Sequence, residues 1–202
     1  TVTVSGVVSG AGLITKMGSG TLLLTGTNTF TSKLNVTGGT LAASSVAALS
    51  AAPAAFTADW ATLAGPTTYL SATGTIALGA NRGITLNNGG GLFADAASIL
   101  YTASPFAAIG TGASVLRIGN LGATGGLVSL ASTAVLPGAT TIDIVQSGAL
   151  AASGLYADAT AWLASGKIAG TSTGTLTLTS DDAASNFDLS TTYKTLGLGA
   201  AS

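Results

Sequence analysis

The chain has 202 residues, of which 6% are charged and 47% apolar, with 29 glycines, no His, no Cys and a formal net charge of −1. Six basic residues scattered from Lys16 to Lys194 leave no electrostatic footprint for nucleic acid or an anionic membrane, so neither is expected as a partner. All seven acids are Asp, and without His, Cys or Glu a Ser-His-Asp triad, a Cys-His pair, a His-ligated metal site and a disulfide framework are excluded within this chain.

Ordinary globular chains are about 25% charged, so the polar face here must be Ser, Thr and Asn. The mean hydropathy is +0.62, yet Gly, Ser, Thr or Pro interrupts every apolar run before the ~18 residues a spanning helix needs. No membrane-spanning helix is expected. The chain opens on "TVTVSGVVSG" without an initiator Met or a basic leader, which reads as a processed chain or a piece of a longer one.

In chain order, short runs of Thr, Val, Ile and Leu bounded by Gly and Asn read as strands, because β-branched side chains fit a pleated surface and Gly permits tight corners. The first are "TVTVS" from Thr1, "LITKM" from Leu13, "TLLLT" from Thr21, "KLNVT" from Lys33 and "TLAAS" from Thr40. Ser44 to Thr67, Ala-rich with Pro53 and Pro66, breaks the rhythm and reads as an excursion over about residues 44–67. Strands resume with "TIAL" from Thr75, "ITL" from Ile84, "LFADA" from Leu92, "ILYTA" from Ile99, "VLRIG" from Val115, "LVSLA" from Leu127 and "TIDIV" from Thr141. Leu155, Ala159, Trp162 and Leu163 behind Ser153 have helical spacing with an N-cap and predict one short helix over about residues 153–165. "TLTLT" from Thr175 and "YKTLGLG" from Tyr193 close the series. Neither irregular segment carries a core of its own, so residues 1–202 are expected to form a single domain.

The phrase Gly-Thr-Leu recurs at Gly20, Gly39 and Gly174, with Gly-Thr-Ile at Gly74. Gly20 to Gly39 is a period of nineteen, and new strands begin every eight or nine residues between Gly74 and Gly91. Periods of about 20–30 residues built of short strands point to a β-solenoid, although a sandwich also places turn signals about every 8–12 residues. Repeated phrases favour the solenoid, because stacked coils present like side chains to like positions. At about 20–25 residues per coil the chain would make about eight to ten coils and a rod about 40 Å long.

Ser5 to Ser44 resembles the passenger-associated repeat of bacterial autotransporter proteins. Lys16, Gly18, Gly20, Thr21, Leu22, Leu24, Gly26 and Asn28 fall on that pattern, and Gly39, Thr40 and Leu41 supply its closing Gly-Thr-Leu. Phe30 stands where the pattern prefers Tyr, and Ser32 and Lys33 replace its Gly-Gly. Gly74 to Gly91 and the segment from Gly174 resemble further elements of large bacterial surface proteins. The resemblance implies a right-handed parallel β-helix, part of or stacked into a longer rod, in a secreted or surface-displayed stalk, filament or surface-layer element. An adhesin passenger segment is the alternative.

Residues of types able to carry chemistry have plainer accounts. Asp181, Asp182 and Asp188 form the one acidic cluster; a turn explains them, against a calcium site, which needs several carboxylates and carbonyls, or catalytic acids. Arg82 in "ANRGI" reads as a corner residue tying carbonyls together, against a ligand-binding Arg. Trp60 and Trp162 read as anchors for the irregular segments, against sugar-stacking platforms. Gly89 to Gly91 lack the strand-to-helix context of a dinucleotide loop and read as a turn. Asn35 to Thr37 spell a glycosylation sequon inside a strand. Thr-x-Thr phrases at Thr1 and Thr175 would make an ordered-surface-binding ladder only if several coils repeated them, and "TIAL" and "TLAAS" do not. No catalytic, cofactor or metal residue is assigned, and no enzyme activity is expected. The expected partners are copies stacked end to end or covalently continuing repeats, with surface glycans besides.

Overall fold

The computed structural model describes residues 1–109, 114–119, 126–130, 140–144, 149–153 and 175–179. Its coils follow the glycine punctuation. The first carries β1 (Val2–Val4), β2 (Ser9–Gly10) and β3 (Ile14–Lys16), and the second β4 (Thr21–Leu24), β5 (Thr29–Phe30) and β6 (Leu34–Val36). The third runs through β7 (Gly39–Ala43), a 3-10 turn at Val46–Leu49 and β8 (Thr57–Leu63), and the fourth through β9 (Thr68–Ala72), β10 (Thr75–Ala77) and β11 (Arg82–Asn87). Next come β12 (Gly90–Ala94), β13 (Ile99–Thr102) and β14 (Phe106–Ile109), then β15 (Ser114–Gly119), β16 (Leu127–Leu130), β17 (Thr140–Ile144), β18 (Ala149–Ser153) and β19 (Thr175–Thr179).

Each strand pairs with its counterpart one coil on, always parallel. One wall is the seven-stranded sheet β1-β4-β7-β9-β12-β15-β17; a second is β3-β6-β8-β11-β14; a third begins as the pair β2-β5 and later becomes β10-β13-β16-β18-β19. Between its two sheets the third wall is bridged by the 3-10 turn, whose Ala47 carbonyl accepts the Asn28 N–H at 3.0 Å. The fold is therefore all-β, a parallel β-solenoid of about five full turns, with β15 to β19 belonging to further coils.

The core is the stack of like positions. On the first wall Val2, Leu22, Leu41, Leu70, Leu92 and Ile118 stand in register; on the second, Ile14, Leu34, Ala61, Ile84 and Phe106 do. Leu34, Leu41, Leu70, Leu92 and Ile84 are fully buried. Each such aliphatic side chain contributes about 1.5–3 kcal/mol by leaving water. The column takes the place of the single large core of an ordinary domain.

Coil length departs from the uniform 20–25 residues. Leu22 pairs with Leu41, nineteen residues on, whereas Leu41 pairs with Leu70, twenty-nine on. The difference is loop, since the excursion lies in that coil. It is also narrower than residues 44–67: Thr57–Leu63 is a seven-residue strand of the second wall. Alanines there hide a strand whose Trp60, Ala61 and Leu63 are buried. The helix expected beyond Ser153 and the strand expected from Tyr193 lie outside the described residues.

Corners are closed by residue type. Gly39 has φ +65°, and a Cβ there would collide with the Gly18 and Gly20 carbonyl oxygens. Lys16 turns inward at the same corner, 7% exposed, and its ammonium donates to the carbonyls of Met17, Gly18 and Gly38 at 2.8, 2.7 and 2.8 Å. Burial lowers its pKa from the ordinary Lys value.

Candidate functional site

Most residues singled out from the sequence have structural occupations. Arg82 opens β11 and is buried; its two terminal nitrogens donate to the Leu78 carbonyl at 2.9 Å and the Ser50 carbonyl at 2.5 Å. Its guanidinium carbon lies 5.2 Å from the Trp60 ring centroid, and burial lowers its pKa. Trp60, 2% exposed, is thereby clamped against the wall. Asn88 and Gly89 form a corner with φ +60° and +102°, and Gly90 begins β12. Asn35 sits within β6. Asp181, Asp182, Asp188 and Trp162 lie outside the described residues.

The Thr phrases do not build a ladder. Thr3 on the outer face is followed in register by Leu23, Ala42, Ser71 and Phe93, and Phe93 stacks on Tyr69 with centroids 4.3 Å apart. Among the described residues that wall carries no regular hydroxyl grid.

What the geometry does assemble lies beside the second wall. Lys33, just before β6, and Asp59, in β8, are 26 residues apart but one coil apart in space. The Lys33 ammonium meets the carboxylate at 2.7 Å on one oxygen and 2.8 Å on the other. That hydrogen bond, with the Lys33 charge behind it, holds the Asp59 carboxyl below its ordinary pKa against the opposing effect of burial. Both side chains are about half exposed, at 50% and 48%.

Lys33 borders two depressions. A cleft of about 370 Å³ between the Ala51–Ala54 segment and the wall is lined by Phe30, Ser32, Lys33, Pro53, Thr57 and Trp60 among others. A shallower one of about 440 Å³ is lined by Lys33, Asp59, Asn35, Thr37, Thr62 and Asn87 among others. Ser32 is 8% exposed, and its buried hydroxyl has no hydrogen-bond partner among the described residues. In the sequence Ser32 and Lys33 stand out only as departures from a repeat pattern and Asp59 carries no signal, because without the coil length nothing links them.

Among the described residues no group of three or more acidic side chains is placed to hold a metal ion, and no helix is long and apolar enough to cross a membrane. Coil stacking, inward aliphatic columns and Gly corners define a parallel β-solenoid. A stretch of 52 residues, 26% of the chain, is 52% identical to a Brucella suis biovar 1 (strain 1330) protein called Adhesin BmaC autotransporter, and it spans 2% of that protein's length. No family model matches the chain, and no solved structure matches it.

Proposed function

We propose that the chain is a structural, non-enzymatic segment of a secreted or cell-surface bacterial protein, serving as stalk, filament or surface-layer element. The observation that carries this reading is the seven-stranded parallel wall, a ladder about 30 Å long at the usual strand spacing, backed by an unbroken aliphatic column. Such a coil spends its sequence on length rather than on a catalytic cleft. Partial similarity to an autotransporter adhesin supports an extracellular or surface location.

Its partners in this reading are further coils, from a second copy or from covalently continuing repeats. On the first coil Val2, Val7, Leu13 and Met17 are 66%, 66%, 61% and 72% exposed, and β1, β2 and β3 each have a neighbour on one edge only. A parallel coil of like cross-section would cover these side chains and pair these edges. Electron microscopy of the protein from its source cells tests the reading. Rods or fibres are expected; compact particles dispersed at every concentration, or turnover of polysaccharide or ester substrates, would overturn it. A second reading, an adhesive passenger segment, is favoured by the name of the relative and is distinguished by binding of cells to surfaces coated with the chain.

A further inference from the structure

We propose that the loop Ala51-Ala52-Pro53-Ala54-Ala55-Phe56 is a cleavage site for a serine endopeptidase with a small apolar specificity pocket, which cuts the Ala54–Ala55 bond and leaves a two-chain rod that stays assembled. The inference goes beyond the stalk reading and does not depend on it. These residues lie between the 3-10 turn and β8, outside every strand. All but Pro53 are exposed, Phe56 at 48%. The segment stands off the wall across the cleft of about 370 Å³ and is tied down in mid-loop by the Asn81 amide, which donates to the Pro53 carbonyl at 2.8 Å. Exposed loops with few buried contacts are where proteases reach a folded chain.

Side chains and hydrogen bonds together select the enzyme class and the bond. The loop has no charged residue for a pocket that reads charge, whereas a small pocket takes Ala. Pro53 fixes its own φ and pushes Ala52 toward an extended backbone, the shape in which a protease cleft holds the acyl side of its substrate. At one end Ser50 is buried, its hydroxyl donating to the Phe30 carbonyl and its carbonyl accepting from Arg82, so a cut at Ala51–Ala52 would have to pull that corner out. At the other end the Phe56–Thr57 bond, which a large apolar pocket would choose, has its N–H bonded to the Asn81 carbonyl at 3.0 Å. The Ala55 carbonyl accepts the Thr57 hydroxyl at 3.3 Å. The Ala54 carbonyl and the Ala55 N–H have no hydrogen-bond partner among the described residues. Attack of the enzyme's serine hydroxyl on the Ala54 carbonyl carbon expels the Ala55 nitrogen, which takes up the hydroxyl's proton, and water then hydrolyses the acyl-enzyme. One water is consumed, and the cut leaves a carboxylate on Ala54 and an ammonium on Ala55.

The cut ends stay in place because the strands on either side are held independently of the loop. β7 is paired with β4 and β9, and β8 with β6 and β11. Leu41, Leu49 and Leu63, which flank the loop in sequence, are fully buried. Cleavage severs a connection and leaves every wall whole.

Digestion of the folded full chain with pancreatic elastase, followed by mass spectrometry and N-terminal sequencing, tests the proposal at this one bond. A new N-terminus at Ala55 is expected, with the two pieces co-eluting in size exclusion and parting only in denaturant. Ala54→Asp should slow the cut at least about tenfold, because a carboxylate enters an apolar pocket only at a cost. Ala55→Pro, which removes the N–H of the bond to be cut, should block it. Circular dichroism checks that both variants keep the wild-type fold, and if one does not, the other carries the test. No cleavage of Ala54–Ala55 in the folded wild type, cleavage at the wild-type rate in the folded variants, or pieces that separate in buffer overturns the proposal. The stalk reading survives each of these results, because rods or fibres of the uncut protein test it separately.

Discussion

Asn28 in the second coil donates from Nδ2 to the carbonyl of Ala48 in the third, 2.6 Å away. Its Oδ1 accepts the Val8 N–H of the first coil at 2.8 Å. One buried amide thus bonds to coils on both sides of its own, where the short β2-β5 pair gives way to the 3-10 turn. A side-chain amide carries its acceptor and its donor on separate atoms, so it can bond to both neighbouring coils at once.

Asn28→Leu should therefore cost about 2–3 kcal/mol, because two backbone groups lose their partners inside the stack. Asn28→Asp keeps the acceptor but sets a carboxylate against the Ala48 carbonyl. At pH 7 it should be at least as damaging as Asn28→Leu, and near pH 4 a protonated carboxyl that donates should recover part of the loss. Urea midpoints of the two variants at both pH values check this.

Two corner glycines with similar backbone should respond differently to alanine. Gly18 has φ +71° with open space where a Cβ would go, whereas at Gly39, φ +65°, that atom would strike the carbonyls of the coil before. Gly18→Ala should cost about 1–2 kcal/mol, the left-handed penalty alone. Gly39→Ala should exceed about 3 kcal/mol, because the coils must move apart or the backbone must strain. Thermal unfolding of the pair measures the difference.

Arg82 is held by two carbonyls and by the Trp60 ring. Lysine cannot reproduce the fork, so Arg82→Lys should lose about 1–3 kcal/mol, and Arg82→Met more, with the Leu78 and Ser50 carbonyls left bare. A double-mutant cycle with Trp60→Leu should return a coupling of about 0.5–2 kcal/mol, the range for a cation over a ring. Zero coupling would mean that the guanidinium acts through the carbonyls alone.

The Lys33–Asp59 pair makes a small, acid-sensitive contribution. Asp59 is held below its ordinary value, so the stabilisation is complete above the unfolded carboxyl pKa of about 3.9 and disappears as pH falls through the folded value. Half exposure keeps it below about 1 kcal/mol. The stability gap between wild type and Asp59→Asn should be constant from pH 7 to 5, close on further acidification, and shrink in about 1 M salt. A gap that widens in acid would reverse the assignment.

Local chemistry was legible in the sequence. Val, Thr, Leu and Ile between glycines determined the strands at Thr21, Thr40, Ile84 and Leu92, and the nineteen-residue interval from Gly20 to Gly39 determined that Thr21 stacks on Thr40 and Leu22 on Leu41. Only the tertiary structure decided which wall each phrase occupies: Thr21–Leu24 lies on the seven-stranded wall, but Thr75–Ala77 and Thr175–Thr179 lie together on another, with three strands between them. It also decided that Thr57–Leu63 is wall rather than excursion, and that Lys33 meets Asp59. The reason is the geometry of a coil. Lateral neighbours are separated in sequence by one full turn, and the length of a turn is the sum of its loops, so a local pattern specifies a strand while the loops specify which strand lies beside it.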